Sequence, residues 1–292
     1  MVSRLSRCTF LLGAAIAFGA AAAEWRDDRG VAVTVTPDPR RIVALSPNLA
    51  EIVYAAGAGD RLAAVVRFSD YPQPAKRLPQ VGDASRLDVE RIFAMHPDLV
   101  LGWKSGNPPQ DLRRLERLDL PVFVTEPRRL EDIARLVRTI GSIAGTPQQA
   151  ASAADAFDRD LQALREHYGG KRPVRVFYEI WHRPLLTVNA QHIISDVIRL
   201  CGGENIFADA PVLTPAVSLE AVLAARPELV LGGSSAMRPK DLSAEWRALP
   251  ISALRNVPVR YVPADLIQRQ TPRLAMGARV VCEHLEAVRT KR

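Results

Sequence analysis

The alternation of polar and apolar positions over residues 89–103, VERIFAMHPDLVLGW, recurs 130 residues later over residues 219–233, LEAVLAARPELVLGG. Seven of the fifteen positions are identical: Glu90/Glu220, Ala94/Ala224, Pro97/Pro227, Leu99/Leu229, Val100/Val230, Leu101/Leu231 and Gly102/Gly232. Each copy predicts a short amphipathic helix opened by an acid and stopped near a proline. A continuous apolar run follows, of a length that suits a strand buried on both faces. The offset is far longer than a solenoid period, so the pattern predicts two similar α/β lobes rather than a repeat array. Ligands of two-lobed α/β proteins sit between the lobes.

The rest of the chain fills in around these copies. Residues 30–36, GVAVTVT, alternate and are followed by Pro37 and Pro39, which predicts an edge strand or arm. RIVALSP reads as a strand and NLAEIVYAAG as a helix, with Asn48 as its cap and Gly57 near its end. AVVRFSDYP runs from a strand into a polar, aromatic loop. DLRRLERLDL predicts a helix, PVFVTE a strand, and RLEDIARLVRTIGSIAG a helix with Ile133, Leu136, Val137, Ile140 and Ile143 on one face. From Pro147 to Tyr168 a helix of roughly 33 Å is expected at 1.5 Å per residue. Thr146 and Gln149 form its expected capping box, and Gly169 and Gly170 stop it. Phe157, Leu161, Leu164 and Tyr168 share one stripe, and the helix reads as a stiff connection between lobes. The second lobe then shows a strand over 174–181, a helix over 192–203, the second copy, a helix over 241–249, a strand over 257–263 and a final helix over 272–289. The expected organisation is a leader (1–23), an N-terminal lobe (24–146), a linking helix (147–169) and a C-terminal lobe (170–292).

The leader is read from Arg4 and Arg7 before an apolar run that closes on Ala21, Ala22 and Ala23. These are the three parts of a secretory signal peptide, and the run is too short for a spanning helix. Cys8 precedes the run, whereas a lipidated cysteine would follow it. Without the leader, Cys201 and Cys282 are the remaining thiols, and in an oxidising compartment such a pair is most simply a disulfide, with two buried free thiols as the alternative. Both are expected near helix C-terminal ends, a placement that permits a bond without demonstrating it. Removing the leader lowers the formal charge from +7 to +5, with acids and bases interspersed and no basic run of the kind that marks nucleic-acid binding.

Enzymatic motifs are missing. There is no nucleophile elbow, phosphate-cradling glycine loop or dinucleotide fingerprint. The five histidines, His96, His167, His182, His192 and His284, lack zincin-like spacing, so no metal is expected. A hydrolase has no nucleophile–base pair to offer. What the loops after strands do supply is Phe68, Ser69, Asp70, Tyr71 and Trp103 in the first lobe, and Trp181, His182, Arg183, Asp265 and Arg269 in the second. Aromatic walls with a few polar groups at strand carboxyl ends suit a large flat ligand bearing amides or carboxylates.

SPNLAEIVYAAG, FSDYP, DVERIFAMHPDLVLGW, the long central helix, VIRLCGGENIFAD and the final TPRL resemble the periplasmic binding proteins of the iron-siderophore, haem and cobalamin uptake family, above all its cobalamin-binding members. The likeness runs from about Arg41 to the C-terminus. It implies two α/β lobes joined by one long helix that restricts closure, a ligand cleft between them, and a monomeric, non-enzymatic periplasmic protein. The implied ligand is cobalamin or a related corrinoid such as cobinamide, carried as cargo and not as a cofactor. Trp103, Asp265 and Arg269 match the ligand-contacting types of the cobalamin binders, and Phe68 stands where they carry a tyrosine. Ala84, Leu186 and Thr214 replace three of their cleft aromatics, and Trp181, which they lack, restores part of the wall beside Tyr71. The likeness also implies that Cys201 and Cys282 sit at disulfide positions. It further implies that Glu90 and Glu220, one on each lobe, dock on the permease dimer of an inner-membrane ABC importer. A plainer role for each glutamate is a helix-dipole contribution of ~0.3–1 kcal/mol. The alternative ligands are haem, with Tyr71 or His182 as axial ligand, or an anionic ferric siderophore held by Arg67, Arg183 and Arg269. A signalling partner in place of a transporter is a further alternative for the two glutamates.

Overall fold

The structure, a computed structural model, describes residues 23–233 and 239–290. The expected leader, apart from Ala23, and Cys8 with it, lies outside the described residues. An antiparallel hairpin of β1 (Ala23–Arg26) and β2 (Ala32–Val35) precedes the first lobe. That lobe runs β3 (Ile42–Ala44), α1 (Pro47–Ala55), β4 (Leu62–Val65), a small antiparallel pair β5 (Gly82–Asp83) and β6 (Arg86–Leu87), α2 (Val89–Ala94), β7 (Leu99–Trp103), α3 (Pro109–Glu116), β8 (Val122–Thr125) and α4 (Leu130–Ile143). The chain continues through α5 (Pro147–Tyr168) to β9 (Val174–Glu179), α6 (Ile193–Leu200), β10 (Gly203–Asn205), α7 (Leu219–Ala224), β11 (Leu229–Gly232), α8 (Pro239–Arg247), α9 (Ser252–Arg255), β12 (Val259–Tyr261), α10 (Ala264–Ile267) and α11 (Leu274–Arg289).

The duplicated pattern becomes the third strand of two parallel four-stranded sheets with one topology, β4-β3-β7-β8 and β10-β9-β11-β12. In each repeat strand the side chains alternate between two cores. Leu99, Leu101, Leu229 and Leu231 face a cluster shared by both lobes, while Val100 and Val230 face the outer cluster of their own sheet. The likeness extends to the turns. Asp88 and Ser218 cap α2 and α7 by accepting from the backbone N–H of Arg91 and Ala221. His96 and Arg226 then take left-handed backbone, at φ 45° and 48°, before the paired prolines. Asp98 and Glu228 follow, accepting from the backbone N–H of Arg41 and Arg175 and so fixing each repeat strand against the first strand of its sheet.

The helix α5 has the bounds its pattern predicts, and it packs on α4 and α1 on one side and on α6 and α11 on the other. Its apolar stripe, Phe157, Leu161 and Leu164, is buried in the shared core, where α4 and the inner faces of both sheets also meet. Gly141 of α4 permits the close crossing, because a Cβ there would lie 2.1 Å from that of Ala150. A second tie between lobes comes from Asp196 of α6, which accepts from the backbone N–H of Leu130 at the start of α4.

Three local expectations are corrected. Thr146 does not form a capping box, because its hydroxyl donates instead to the carbonyl of Ala56. Asn48 is not the cap of α1. Pro47 takes the first helical position, which makes Ser46 the cap, and the Asn48 amide is engaged across the lobes. Cys201 ends α6 as expected, but Cys282 lies in the middle of α11, where its side chain meets that of Cys201 in a disulfide with Cα atoms 4.7 Å apart.

Among the described residues, no helix is long and apolar enough to cross a membrane. The disulfide closes a sequence separation of 81 within the second lobe. Replacing both Cys201 and Cys282 by alanine is expected to lower the unfolding free energy by ~2–4 kcal/mol, chiefly by freeing the unfolded chain. Chemical denaturation of the two forms measures this.

Candidate functional site

The loops at the strand carboxyl ends of the two lobes meet around one buried carboxylate. Glu51 lies on α1, among the apolar residues that pack the helix into the core, and is only 3% exposed. Arg273 grips it with two bonds, Nε to Oε2 at 2.9 Å and Nη2 to Oε1 at 2.5 Å. Arg269 adds a third from Nη1 at 2.9 Å. Such forked contacts suit the planar guanidinium. Asn48, one turn before Glu51, donates to Gln270 at 3.1 Å, so the same turn of α1 holds the second lobe through charge and amide together.

Arg269 organises the loop after β4 as well. It donates to Asp70 at 2.7 Å and to the carbonyl of Phe68 at 3.3 Å, and it pairs with Asp265 at 2.9 Å. Phe68 sits at φ 66°, uncommon for a bulky residue, and this turns its ring outward. The ring is 68% exposed, and Tyr71 beside it is 46% exposed with the Arg273 guanidinium 4.0 Å from its centroid. Burial alone would lower the pKa of both arginines, but their carboxylate partners raise it. Burial would raise that of Asp70, but the hydrogen bond and charge of Arg269 hold it below the usual carboxylate range.

Trp103 ends β7. Its half-buried ring lies over Gly106, where a Cβ would come within 1.9 Å of it. Asn107, buried, accepts from the Trp103 backbone N–H at 2.7 Å and donates to the carbonyls of Leu45 and Ala84, stapling three loops. Between the lobes, Trp103, Glu126, Arg128, Gln191, His192 and Gln270 border a narrow cavity of about 20 Å³. Pockets for drug-sized ligands span about 300–1,000 Å³, so a larger flat ligand has to use the open rim. Burial pushes His192 down to about 4, with Arg128 adding to the shift, and its Nδ1 accepts from the backbone N–H of Ile194 as the cap of α6.

Trp181, 53% exposed, stands after β9. Its indole N–H donates to the carbonyl of Arg183 in its own loop, apart from the arginine–carboxylate cluster. The structure thus brings Phe68, Tyr71, Asp265 and Arg269 into one contact network, with Trp103 next to it through Gln270 and Trp181 on a separate loop. Leu186 forms a bridge with Trp181, Thr214 is exposed, and Ala84 is half-buried. Of the three arginines considered for a siderophore, Arg269 already faces three carboxylates and Arg67 lies 5.1 Å from the ring centroid of Phe68.

Sequence reasoning passed over Glu51, Asn107, Gln270 and Arg273. The signals were an acid within the apolar helix NLAEIVYAAG and the arginine of TPRL. Glu90 and Glu220 lie at the same position of α2 and α7 and are exposed. Glu90 pairs with Arg114 at 2.5 Å. Glu220 is held below the usual carboxylate range by its own backbone N–H first and then by Ser218. One turn on, Phe93 and Leu223 are also exposed at matching positions of the repeat.

Two parallel α/β lobes carry exposed aromatic side chains on their strand-end loops. Residues 42–266 match the periplasmic binding protein family, and the chain belongs to it. Over 261 residues it is 37% identical to the Vitamin B12-binding protein of Vibrio parahaemolyticus serotype O3:K6 (strain RIMD 2210633), a match covering 89% of this chain and 94% of that relative. Its fold is similar to that of the periplasmic Vitamin B12 binding protein BtuF of Vibrio cholerae, with a TM-score of 0.78, 35% identity, and coverage of 86% of this chain and 98% of that one. It is also similar to the periplasmic heme-binding protein BhuT in complex with two hemes, with a TM-score of 0.72, 25% identity, and coverage of 83% and 98%.

Glu51→Ala leaves Arg273 without its carboxylate partner, while Arg269 keeps Asp70 and Asp265, and is expected to destabilise the protein by about 3 kcal/mol in urea denaturation. Asp70, with its folded pKa depressed, contributes stability that is complete above the ordinary value of about 4 and lost as pH falls through the folded value. Denaturation midpoints of wild type and Asp70→Asn should therefore differ at neutral pH and converge in acid.

Proposed function

We propose that this protein captures cobalamin or a related corrinoid between its lobes and delivers it, chemically unchanged, to an ABC importer in the inner membrane. The observation that carries the reading is the set of exposed rings, Phe68, Tyr71 and Trp181, on strand-end loops of both lobes. Exposed aromatic faces are surfaces on which a flat macrocycle packs well. The vitamin B12-binding relatives support the corrinoid as that macrocycle. Trp103 extends the wall. Asp265, whose side chain is 46% exposed, is the polar group open to corrin amides, and Arg269 holds it in place. The mature chain works in the periplasm as a monomer, exported by the leader of residues 1–23.

Delivery runs through the two matched tips. Glu90 and Glu220 offer one acid per lobe to a twofold permease, and Phe93 and Leu223 place an apolar side chain beside each. The Glu90–Arg114 pair is a surface contact worth at most ~1 kcal/mol, so a permease arginine can exchange for it.

Haem is the second reading, favoured by Tyr71, an exposed phenol that is available as an axial ligand. Calorimetry with cobalamin and cobinamide separates the two. One site with micromolar or tighter affinity is expected, and Trp181→Ala should weaken it about tenfold, ~1.4 kcal/mol. Haem binding with a Soret band that shifts in Tyr71→Phe, with no heat from either corrinoid, would replace the corrinoid reading. Combining Glu90→Ala with Glu220→Ala should abolish corrinoid uptake by cells while calorimetric binding is retained. Loss of both together would remove the glutamates from delivery.

A further inference from the structure

Behind Trp181, on the same loop, three side chains from separate segments turn toward one point. Glu179 ends β9 and is 3% exposed, His182 follows in the loop, and Glu245 comes from α8. His182 Nδ1 lies 3.0 Å from Glu179 Oε1 and 3.5 Å from Glu245 Oε2, and the three donor atoms all fall within 4.8 Å of one another. The other oxygen of Glu179 accepts from the indole N–H of Trp246 at 2.6 Å, which fixes the orientation of the carboxylate.

An ion pair alone does not satisfy this group. A ring nitrogen carries at most one hydrogen, and Nδ1 can give it to only one of the two carboxylates. Glu245 Oε2 is buried and has no hydrogen-bond partner. Burial raises the Glu179 pKa, the Trp246 and His182 contacts oppose this, and the nearby Glu245 charge adds to it. Two carboxylates and a neutral imidazole together present a charge of −2 and three lone pairs.

We propose that Glu179, His182 and Glu245 form a binding site for a first-row divalent transition-metal cation, with Zn²⁺ as its probe. Ligands about 2.1 Å from a tetrahedral ion lie roughly 3.4 Å from each other, and the separations of 3.0 and 3.5 Å around Nδ1 bracket that value. The Trp246 indole supplies the outer hydrogen bond that metal-bound carboxylates commonly have. An ion there ties the loop carrying Trp181 to α8 and fixes one wall of the gap. The histidine spacing of the sequence did not indicate a metal, because the three donors belong to a strand, a loop and a distant helix. The site is independent of which ligand the gap takes.

The test uses the full chain, exported, purified without an affinity tag, stripped with chelator and titrated with Zn²⁺ by calorimetry. One equivalent should bind, with micromolar or tighter affinity. His182→Ala and Glu245→Gln should each weaken this at least tenfold, and Trp246→Phe by about ten- to a hundredfold. Circular dichroism confirms that each variant is folded, and where Trp246→Phe does not fold, Glu245→Gln decides. Co²⁺ in place of Zn²⁺ should give a visible absorption band that is absent in His182→Ala. Absence of Zn²⁺ binding in the wild type, or binding unchanged in both His182→Ala and Glu245→Gln, would overturn the proposal. Either result leaves corrinoid calorimetry untouched, so the two readings fail separately.

Discussion

Glu51 is a carboxylate placed where the hydrophobic core would otherwise continue, and everything at the floor of the gap follows from how it is neutralised. An unpaired buried charge is too costly to survive folding, and the penalty is offset only by close, well-shaped partners. Those partners are Arg269 and Arg273, more than two hundred residues away in the other lobe. The contact fixes how the lobes face each other, and it leaves Arg269 with donors for Asp70, Asp265 and the Phe68 carbonyl. The carbonyl of Phe68 and the ring of Tyr71 are held by the same two arginines that neutralise Glu51. Both terminal nitrogens of Arg269 are bonded to protein groups of the rim.

The second constraint is the continuous core beneath. The inner faces of both sheets pack on α4, α5, α6 and α11, in one cluster that crosses from lobe to lobe. The 22-residue helix α5 lays one stripe, Ala150, Ala154, Phe157, Leu161 and Leu164, into that cluster and leaves its opposite face exposed. The polar floor and the apolar helix layer therefore act in the same direction, holding two similar units at a set separation. This is the geometry in which matched features of the repeat, such as the capped helices α2 and α7, can meet a symmetric partner together.

Much of this was legible in the sequence because it is local. The apolar runs at 99–102 and 229–232 announce buried strands, and the bounds of α5 are marked by Pro147 and the Gly169–Gly170 pair. The two sheets share a topology because their sequences share a pattern. What local pattern could not carry was the choice among competing partners. Ser46 and Asn48 are both good caps, and Pro47 between them decides. Thr146 could cap α5, but the Ala56 carbonyl takes its hydroxyl. Asn107 reads as a loop residue until Leu45, Ala84 and Trp103 are seen to converge on it. Glu51 reads as a solvated acid until the two arginines arrive from the far end of the chain. Phe68, Tyr71, Asp265 and Arg269 were named for their types and strand-end positions. Their mutual contacts depend on a pairing that no spacing encodes.

The most direct measurement is a crystal structure of the protein with cobinamide or cobalamin bound. The account predicts the macrocycle packed between Phe68 and Tyr71 on one side and Trp181 on the other, with Arg269 and Arg273 still paired to Glu51. A macrocycle bound away from these rings, or Arg269 swung from Glu51 to the ligand, would contradict it.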